Sequence, residues 1–401
     1  VREMLFLCLR HWVQNYHIDG FRFDLASILS RNRHGEIIPN PPVVEMIAED
    51  PLLSDTKVIA EAWDAAGAYQ VGSFANLRWA EWNGRYRDEI RQYWRGDAHM
   101  LGGMATRLAG SADLYQAGGR QPYHSINFVT SHDGFPLNDL VSYSYKHNEK
   151  NGEGNRDGDD NNHSANYGVE GPTKKKNIEA IRLRQIKNFL ATLLLSQGVP
   201  MLLAGDECRR TQRGNNNAYC QDNQISWFDW SLVDQNASLV RFVQALIAFR
   251  RSNPTLRRRS FLSGIPVRQG ELPDVSWFDP LGASIDWRNG DHGLICVFGA
   301  PIANAATGSA DDDSESHLAP TSNSLGLIEK TRHIMLMLNP IGQPREFIVP
   351  EFVRKIRWRK FIDTAAESPA DIFPNLDGPP PPKGDQPILL AERSLVCYVG
   401  S

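Results

Sequence analysis

The stretch HIDGFRFDLA, residues 17–26, decides how the chain is read. Alternate residues of a strand face opposite sides, so Phe21, Phe23 and Leu25 form one face, while Ile18, Gly20, Arg22 and Asp24 share the other. The first face suits a packed core. The second sets an arginine beside an aspartate, which packing alone does not require. Upstream, VREMLFLCLRHWVQNY carries Val1, Met4, Leu5, Cys8, Leu9, Trp12, Val13 and Tyr16 at helical spacing, so a helix runs directly into this strand. Downstream come the loop SRNRHGEIIPNPP, a short helix over 43–49 and a strand, KVIAEAW, over 57–63. The order then repeats. RYRDEIRQYWRG is helical and closed by Gly96, SINFVTSHD (125–133) is a strand, NIEAIRLRQIKNFLATLLLSQG is a long helix closed by Gly198, and VPMLLAGDE (199–207) is a further strand. Recurring helix–strand alternation predicts an α/β fold with a parallel sheet.

From about Trp277 the texture changes to short β-patterned runs, GLICVFG, HIMLMLN, REFIVP and SLVCYVG, with turn residues between them. The expected division is therefore an α/β part over residues 1–260 and an antiparallel β-domain over 261–401. Two stretches inside the latter, near 301–328 and 376–387, are too polar or too rich in proline to pack and are expected as mobile loops.

Composition narrows the function. A chain of 401 residues with 41% apolar content can bury a large core, and a net charge of −4 with no basic block longer than KKK at 174–176 leaves nucleic acid an unexpected partner. No stretch approaches the roughly 18 uninterrupted apolar residues of a membrane span. The five cysteines, an odd number with no CxxC pair, suit reduced thiols, which points to a cytoplasmic location.

In parallel α/β folds the site forms at the carboxyl ends of the strands. Three expected strands end in Asp24 (FRFD), Glu61 (IAE) and the pair His132–Asp133 (SHD). Singly, each acid has a bland explanation: an ion pair with Arg22, a helix cap, a loop carboxylate. As a set they are poor packing devices, because burying a carboxylate costs several kcal/mol, roughly, per ion. Two carboxyl groups flanking one bond with a third nearby suit glycoside hydrolysis: one attacks the anomeric carbon, one protonates the departing oxygen, and fixed negative charge steadies the oxocarbenium ion. Arg22 is then expected to hold Asp24 ionised and oriented as a nucleophile, and the apolar surround of Ile59, Ala60, Ala62 and Trp63 to keep Glu61 protonated as an acid. Metal chemistry is the competing reading of clustered acids. His17, His124 and His132 fall in no HExxH or His-x-His arrangement, and NRDGDDNNHSAN lacks the pattern of a calcium loop, so neither a metal nor another cofactor is expected.

GFRFDLA, IAEAWD and FVTSHD together resemble three catalytic segments of the α-amylase superfamily, glycoside hydrolase family thirteen, on barrel strands four, five and seven. By that resemblance Asp24 matches the nucleophile, Glu61 the general acid/base and Asp133 the transition-state-stabilising aspartate, with Arg22 and His132 as substrate-binding partners. EAWDAAGAYQVGSF, WAEWNGRYRDEIRQYWRG, KHNEKNGEGNRDG, GVPMLLAGDE and QRGNNNAYCQDNQISWFDW narrow the likeness to isoamylase-type debranching enzymes. The resemblance implies a (β/α)8 barrel followed by a C-terminal β-sandwich, and retaining hydrolysis of α-1,6 linkages in glycogen, amylopectin or limit dextrin. It also implies that only barrel strands four to eight are present, as in a fragment of a longer protein. An α-1,4-acting amylase, a trehalose-releasing hydrolase or an inactive glucan-binding remnant are the alternatives.

The chain departs from the family at SANYG (164–168), which lacks the Trp and Cys usual there. Trp63, Trp79, Trp82, Trp227 and Trp230 fall near expected rims, where an indole can stack on a sugar, though core packing explains any single one. The polar span KHNEKNGEGNRDGDDNNHSANYG is too long for an ordinary connection and is a candidate for shaping the branch-accepting cleft.

Overall fold

Five short parallel strands lie side by side in chain order: β1 (Gly20–Phe23), β2 (Lys57–Ala60), β3 (Trp79–Trp82), β4 (Ser125–Asn127) and β5 (Val199–Pro200). The computed structural model that gives this arrangement describes residues 1–75, 77–266, 271–288, 292–300 and 331–400. Helix α1 (Arg2–Tyr16) precedes β1. Helices α2 (Pro42–Glu49), α3 (Gly84–Arg95), α4 (Leu101–Leu108), α5 (Ala112–Tyr115), α6 (Leu137–Leu140) and α7 (Lys176–Leu195) fall between strands, and α8 (Ser231–Gln235) and α9 (Ala237–Ser252) follow β5. Pro200 has no N–H to give a ladder, and it stands on an edge strand, where none is needed.

The alternation read in HIDGFRFDLA holds over 20–23; past Phe23 the chain leaves the strand, and Leu25, expected on the face of Phe21 and Phe23, turns left-handed instead. Phe21 and Phe23 pack with Val58, Ala60 and Trp79 beneath α1 and α2. The opposite face carries Arg22, in register with Ile59, and continues through Ala80 and Trp82 to Ile126. Gly20 is required where β1 meets β2, since a Cβ there would stand 2.9 Å from that of Lys57.

The strands stop sooner than expected. Those anticipated over 57–63, 125–133 and 199–207 end at Ala60, Asn127 and Pro200, beyond which only single backbone bonds, such as Glu61 N–H to the Phe23 carbonyl, continue the pairing. Helix α7 ends at Leu195 rather than at Gly198, because Ser196 turns extended and the Gln197 N–H bonds to the Leu108 carbonyl. Strand β3 was not separable by pattern: its WAEW abuts the helix-forming run that becomes α3.

A second five-stranded sheet is antiparallel, ordered β10 (Trp358–Asp363), β12 (Ser394–Gly400), β8 (His333–Asn339), β7 (Leu294–Phe298) and β6 (Val275–Phe278). Strands β9 (Arg345–Phe347) and β11 (Ile388–Leu390) pair separately. β7, β8 and β12 are apolar at nearly every position because both sheet faces are covered. Leu294, Cys296, Phe298, Ile334, Leu336 and Leu338 join the core of α3, α4, α7 and α9, whereas Ile295, Val297, Met335 and Met337 join Phe347, Val353 and Trp358. The stretch near 301–328 lies outside the described residues. The stretch 376–387 is described, and it is tied to β10 by a Lys360 N–H to Pro379 carbonyl bond of 3.0 Å.

Candidate active site

Asp24 and Glu61 stand one residue past the ends of β1 and β2, and the parallel register that pairs Phe23 with Ala60 makes them neighbours. Two further backbone bonds fasten the turn: Glu61 N–H to the Phe23 carbonyl at 3.0 Å and Ala26 N–H to the Glu61 carbonyl at 2.8 Å. Between them Leu25 adopts a left-handed conformation, φ 41° and ψ 47°. This is a conformation that non-glycine residues seldom take, and it is a form of strain that accumulates at functional sites. Here it aims the Leu25 N–H at Glu61 Oε2, 2.8 Å away.

Arg22 joins the two acids. Its Nη1 donates to Asp24 Oδ1 at 2.5 Å, and its Nη2 lies 2.9 Å from Glu61 Oε1, an ion pair without the alignment of a hydrogen bond. The acids differ in environment. The Asp24 side chain is 70% exposed and that of Glu61 only 5%. Burial pushes the Glu61 carboxyl above the usual carboxylate range; the Leu25 N–H and Arg22 oppose this, and the nearby Asp24 adds to it.

Trp82 supplies the floor. The Arg22 guanidinium lies over its ring at 4.2 Å, and the His132 ring meets it edge-on at 5.8 Å, so one indole links the first strand of the sheet to the loop after the fourth. His132 Nε2 is 3.6 Å from Asp133 Oδ2. Arg22, Asp24, Glu61 and His132 thus form one connected cluster. The Asp133 carboxylate is exposed, and His132 is its only ion-pair partner among the described residues.

Asp206 was missed in sequence because GDE reads as an ordinary strand end. It is buried, accepts from the Thr130 hydroxyl and takes the Leu137 N–H at 2.8 Å, so it clasps both ends of the segment carrying His132 and Asp133. Burial pushes its carboxyl up to about 7, against the pull of those two hydrogen bonds. The tip is held too, by Gly134 N–H to the Asn216 carbonyl at 3.0 Å. A second carboxylate, Asp64, takes a two-pronged bond from Arg31 at 2.6 and 3.0 Å, tying the loop after β1 to that after β2, and this bond holds its carboxyl down at about 2.

The long polar span after β4 is laced by amides. Asn148 and Asn216 bond to each other twice, at 2.8 and 2.9 Å, Asn216 reaches the Asp159 carbonyl at 2.7 Å, and Asn217 reaches Asp157 at 2.9 Å. In SANYG, Tyr167 packs against the large core and its hydroxyl accepts from Gln185 on α7 at 2.7 Å. Of the other tryptophans, Trp79 is fully buried between Phe23 and Phe74, Trp63 stacks on Tyr69, and Trp227 and Trp230 are exposed.

No family model matches the chain. It is 46% identical over 367 residues to the glycogen operon protein GlgX homolog of Mycobacterium tuberculosis, covering 90% of this chain and 48% of that protein. It is 43% identical over 376 residues to isoamylase 3, chloroplastic, of rice (93% and 43% covered), and 48% identical over 295 residues to the glycogen debranching enzyme of Serratia proteamaculans (72% and 43%). The chain spans about half the length of the curated relatives it matches. Among solved structures it is similar to the group B Streptococcus pullulanase SAP in complex with maltotetraose, with a TM-score of 0.64 at 14% identity over 99% of this chain and 49% of that one. The pullulanase from Bacillus acidopullulyticus gives 0.63 at 16% identity, over 99% and 40%. On the strength of the sequence identities the chain belongs to the isoamylase-type family of glycogen- and starch-debranching proteins, within the α-amylase superfamily.

Proposed function

We propose that the chain carries the catalytic acids of a retaining hydrolase that cleaves α-1,6 branch linkages in glycogen, amylopectin or limit dextrin. In this reading Asp24, open to solvent and oriented by Arg22, attacks the anomeric carbon. Glu61, whose hold on its proton burial strengthens, gives that proton to the departing oxygen, and a glycosyl ester forms on Asp24. Water then enters, Glu61 takes its proton back, and the ester is cleaved with net retention. Asp133 steadies the oxocarbenium-like charge, and Arg22 and His132 hold the ring hydroxyls.

The observation that carries this reading is one guanidinium bound to two carboxyl groups of opposite exposure. It also keeps them close. Asp24 acts directly on Glu61, which fits the short separation of retaining enzymes, about 5 Å, better than the wider gap of inverting ones. The names of the relatives support the debranching reaction over α-1,4 or trehalose-releasing hydrolysis.

The same reading makes β1 to β5 the fourth to eighth strands of a (β/α)8 barrel. Its support is the unbroken chain order of parallel strands, whereas a doubly wound sheet reverses direction partway. The antiparallel sheets then form a C-terminal β-sandwich, with the division near residue 260. Five unpaired cysteines support a cytoplasmic setting.

The test is turnover of branched glucan by the chain extended to the length of its relatives. Asp24→Asn and Glu61→Gln should each remove nearly all release of linear chains. Full activity in either variant overturns the assignment, and release of maltooligosaccharides or trehalose in place of linear chains overturns the linkage specificity.

A further inference from the structure

A pocket of about 440 Å3 lies on the second sheet, between β10 with the turn before it and the prolines at 380–382. Strand β10 is an edge strand, and the proline stretch covers its open side through the Lys360 N–H to Pro379 carbonyl bond. Prolines cannot extend the ladder, so a wall forms there instead of a further strand.

The lining is cationic. Arg354, Arg357, Arg359 and Lys383 surround the pocket with Ile356 and Trp358, and no acid lines it. Arg354 is fixed by a 2.9 Å bond from Nε to the Val349 carbonyl. Among the described residues Arg357, Arg359 and Lys383 have no ion-pair partner, although the acids Glu351 and Asp385 are close by in sequence. Several other arginines of the chain are matched with carboxylates, Arg31 with Asp64 and Arg120 with Glu81 among them, and the chain as a whole is not basic, with a net charge of −4. Four like charges around one concavity repel each other and favour an anion between them.

We propose that this pocket binds a phosphate monoester. Such a group carries about −1.5 to −2 charge and three strong acceptor oxygens, which the planar forks of several arginines match better than they match a single carboxylate. The concave walls suit a compact head group rather than an extended polyanion. The pocket volume, within the range of about 300–1,000 Å3 typical of small-molecule sites, leaves room for a sugar behind the phosphate.

The proposal is independent of the hydrolytic reading and is tested without turnover. The chain extended to the length of its relatives is titrated calorimetrically with inorganic phosphate, glucose 6-phosphate and glucose at constant ionic strength set with chloride. Saturable binding of both phosphates but not of glucose is expected. Tighter binding of the sugar ester assigns a phosphorylated sugar or glucan as the source, and equal binding assigns free phosphate. The Arg357→Gln/Arg359→Gln double variant should weaken binding by at least about tenfold, the loss of one charge-assisted bond or more, with an unchanged melting temperature. If that variant folds poorly, Lys383→Gln, on an exposed loop, should weaken binding in the same direction. Failure of both phosphates to bind beyond the chloride control, or undiminished binding by the variants, overturns the proposal.

Discussion

Arg22 touches Asp24 with one guanidinium nitrogen, at 2.5 Å, and faces Glu61 with the other, at 2.9 Å. The two carboxyl groups therefore share one cation, and a change at Asp24 or Arg22 alters the proton affinity of Glu61. Asp24→Asn removes a negative charge that favours the protonated form of Glu61, so the Glu61 pKa should fall; Arg22→Leu should raise it. Carboxyl-resolved NMR titration reads both shifts without requiring turnover. Shifts of the same sign in the two variants would contradict the shared-cation geometry.

Stability follows from the same group. The folded chain binds the Glu61 proton more tightly than the unfolded chain does, so the stability present below the unfolded value, about pH 4, is lost as pH rises through the raised folded value. Glu61→Gln should remove that loss. Relative to the parent, the variant should gain stability between pH 4 and pH 8, as read from denaturant midpoints at the two pH values.

Trp82 carries the Arg22 guanidinium on one side and meets His132 on the other. Trp82→Phe keeps a smaller ring and should lower turnover modestly. Trp82→Leu removes the quadrupole, worth about 0.5–2 kcal/mol for a cation over an indole, and should cost about tenfold in kcat. Equal rates in the two variants would make Trp82 filler rather than support.

Asp206 closes the segment that presents His132 and Asp133. Asp206→Ala leaves the Thr130 hydroxyl and the Leu137 N–H without their acceptor, at about 1–3 kcal/mol each, and should speed amide exchange across 130–137 more than elsewhere. Uniform acceleration over the whole chain would show a general rather than a local role.

Much of this was legible in the sequence. The period-two pattern of HIDGFRFDLA set Arg22 opposite Phe21 and Phe23, as the strand has it, and Arg22 does meet Asp24, although Asp24 stands past the strand's end; the apolar neighbours read around Glu61 fit its burial. What escaped depends on contacts distant in sequence. β3 is four residues long and merges with the helical pattern of α3, so the indole that supports Arg22 looked like one rim tryptophan among five. Asp206 works through Thr130 and Leu137, about seventy positions away, and no local pattern links them. The span after β4 was legible as an over-long polar connection, but not the way its amides bond to one another and to 212–217, because those partners lie more than fifty positions away. The unbroken apolar runs of β7, β8 and β12 identify strands but cannot say what covers each face.

The most direct measurement is covalent trapping. The extended chain bearing Glu61→Gln, incubated with an α-maltosyl fluoride, can form the glycosyl ester by expelling fluoride but lacks the base that activates water for its hydrolysis. Peptide mass spectrometry should find one maltosyl group on Asp24. A label on any other residue, or a first-formed product of inverted anomeric configuration from the parent enzyme, would contradict the assignment of Asp24 as nucleophile.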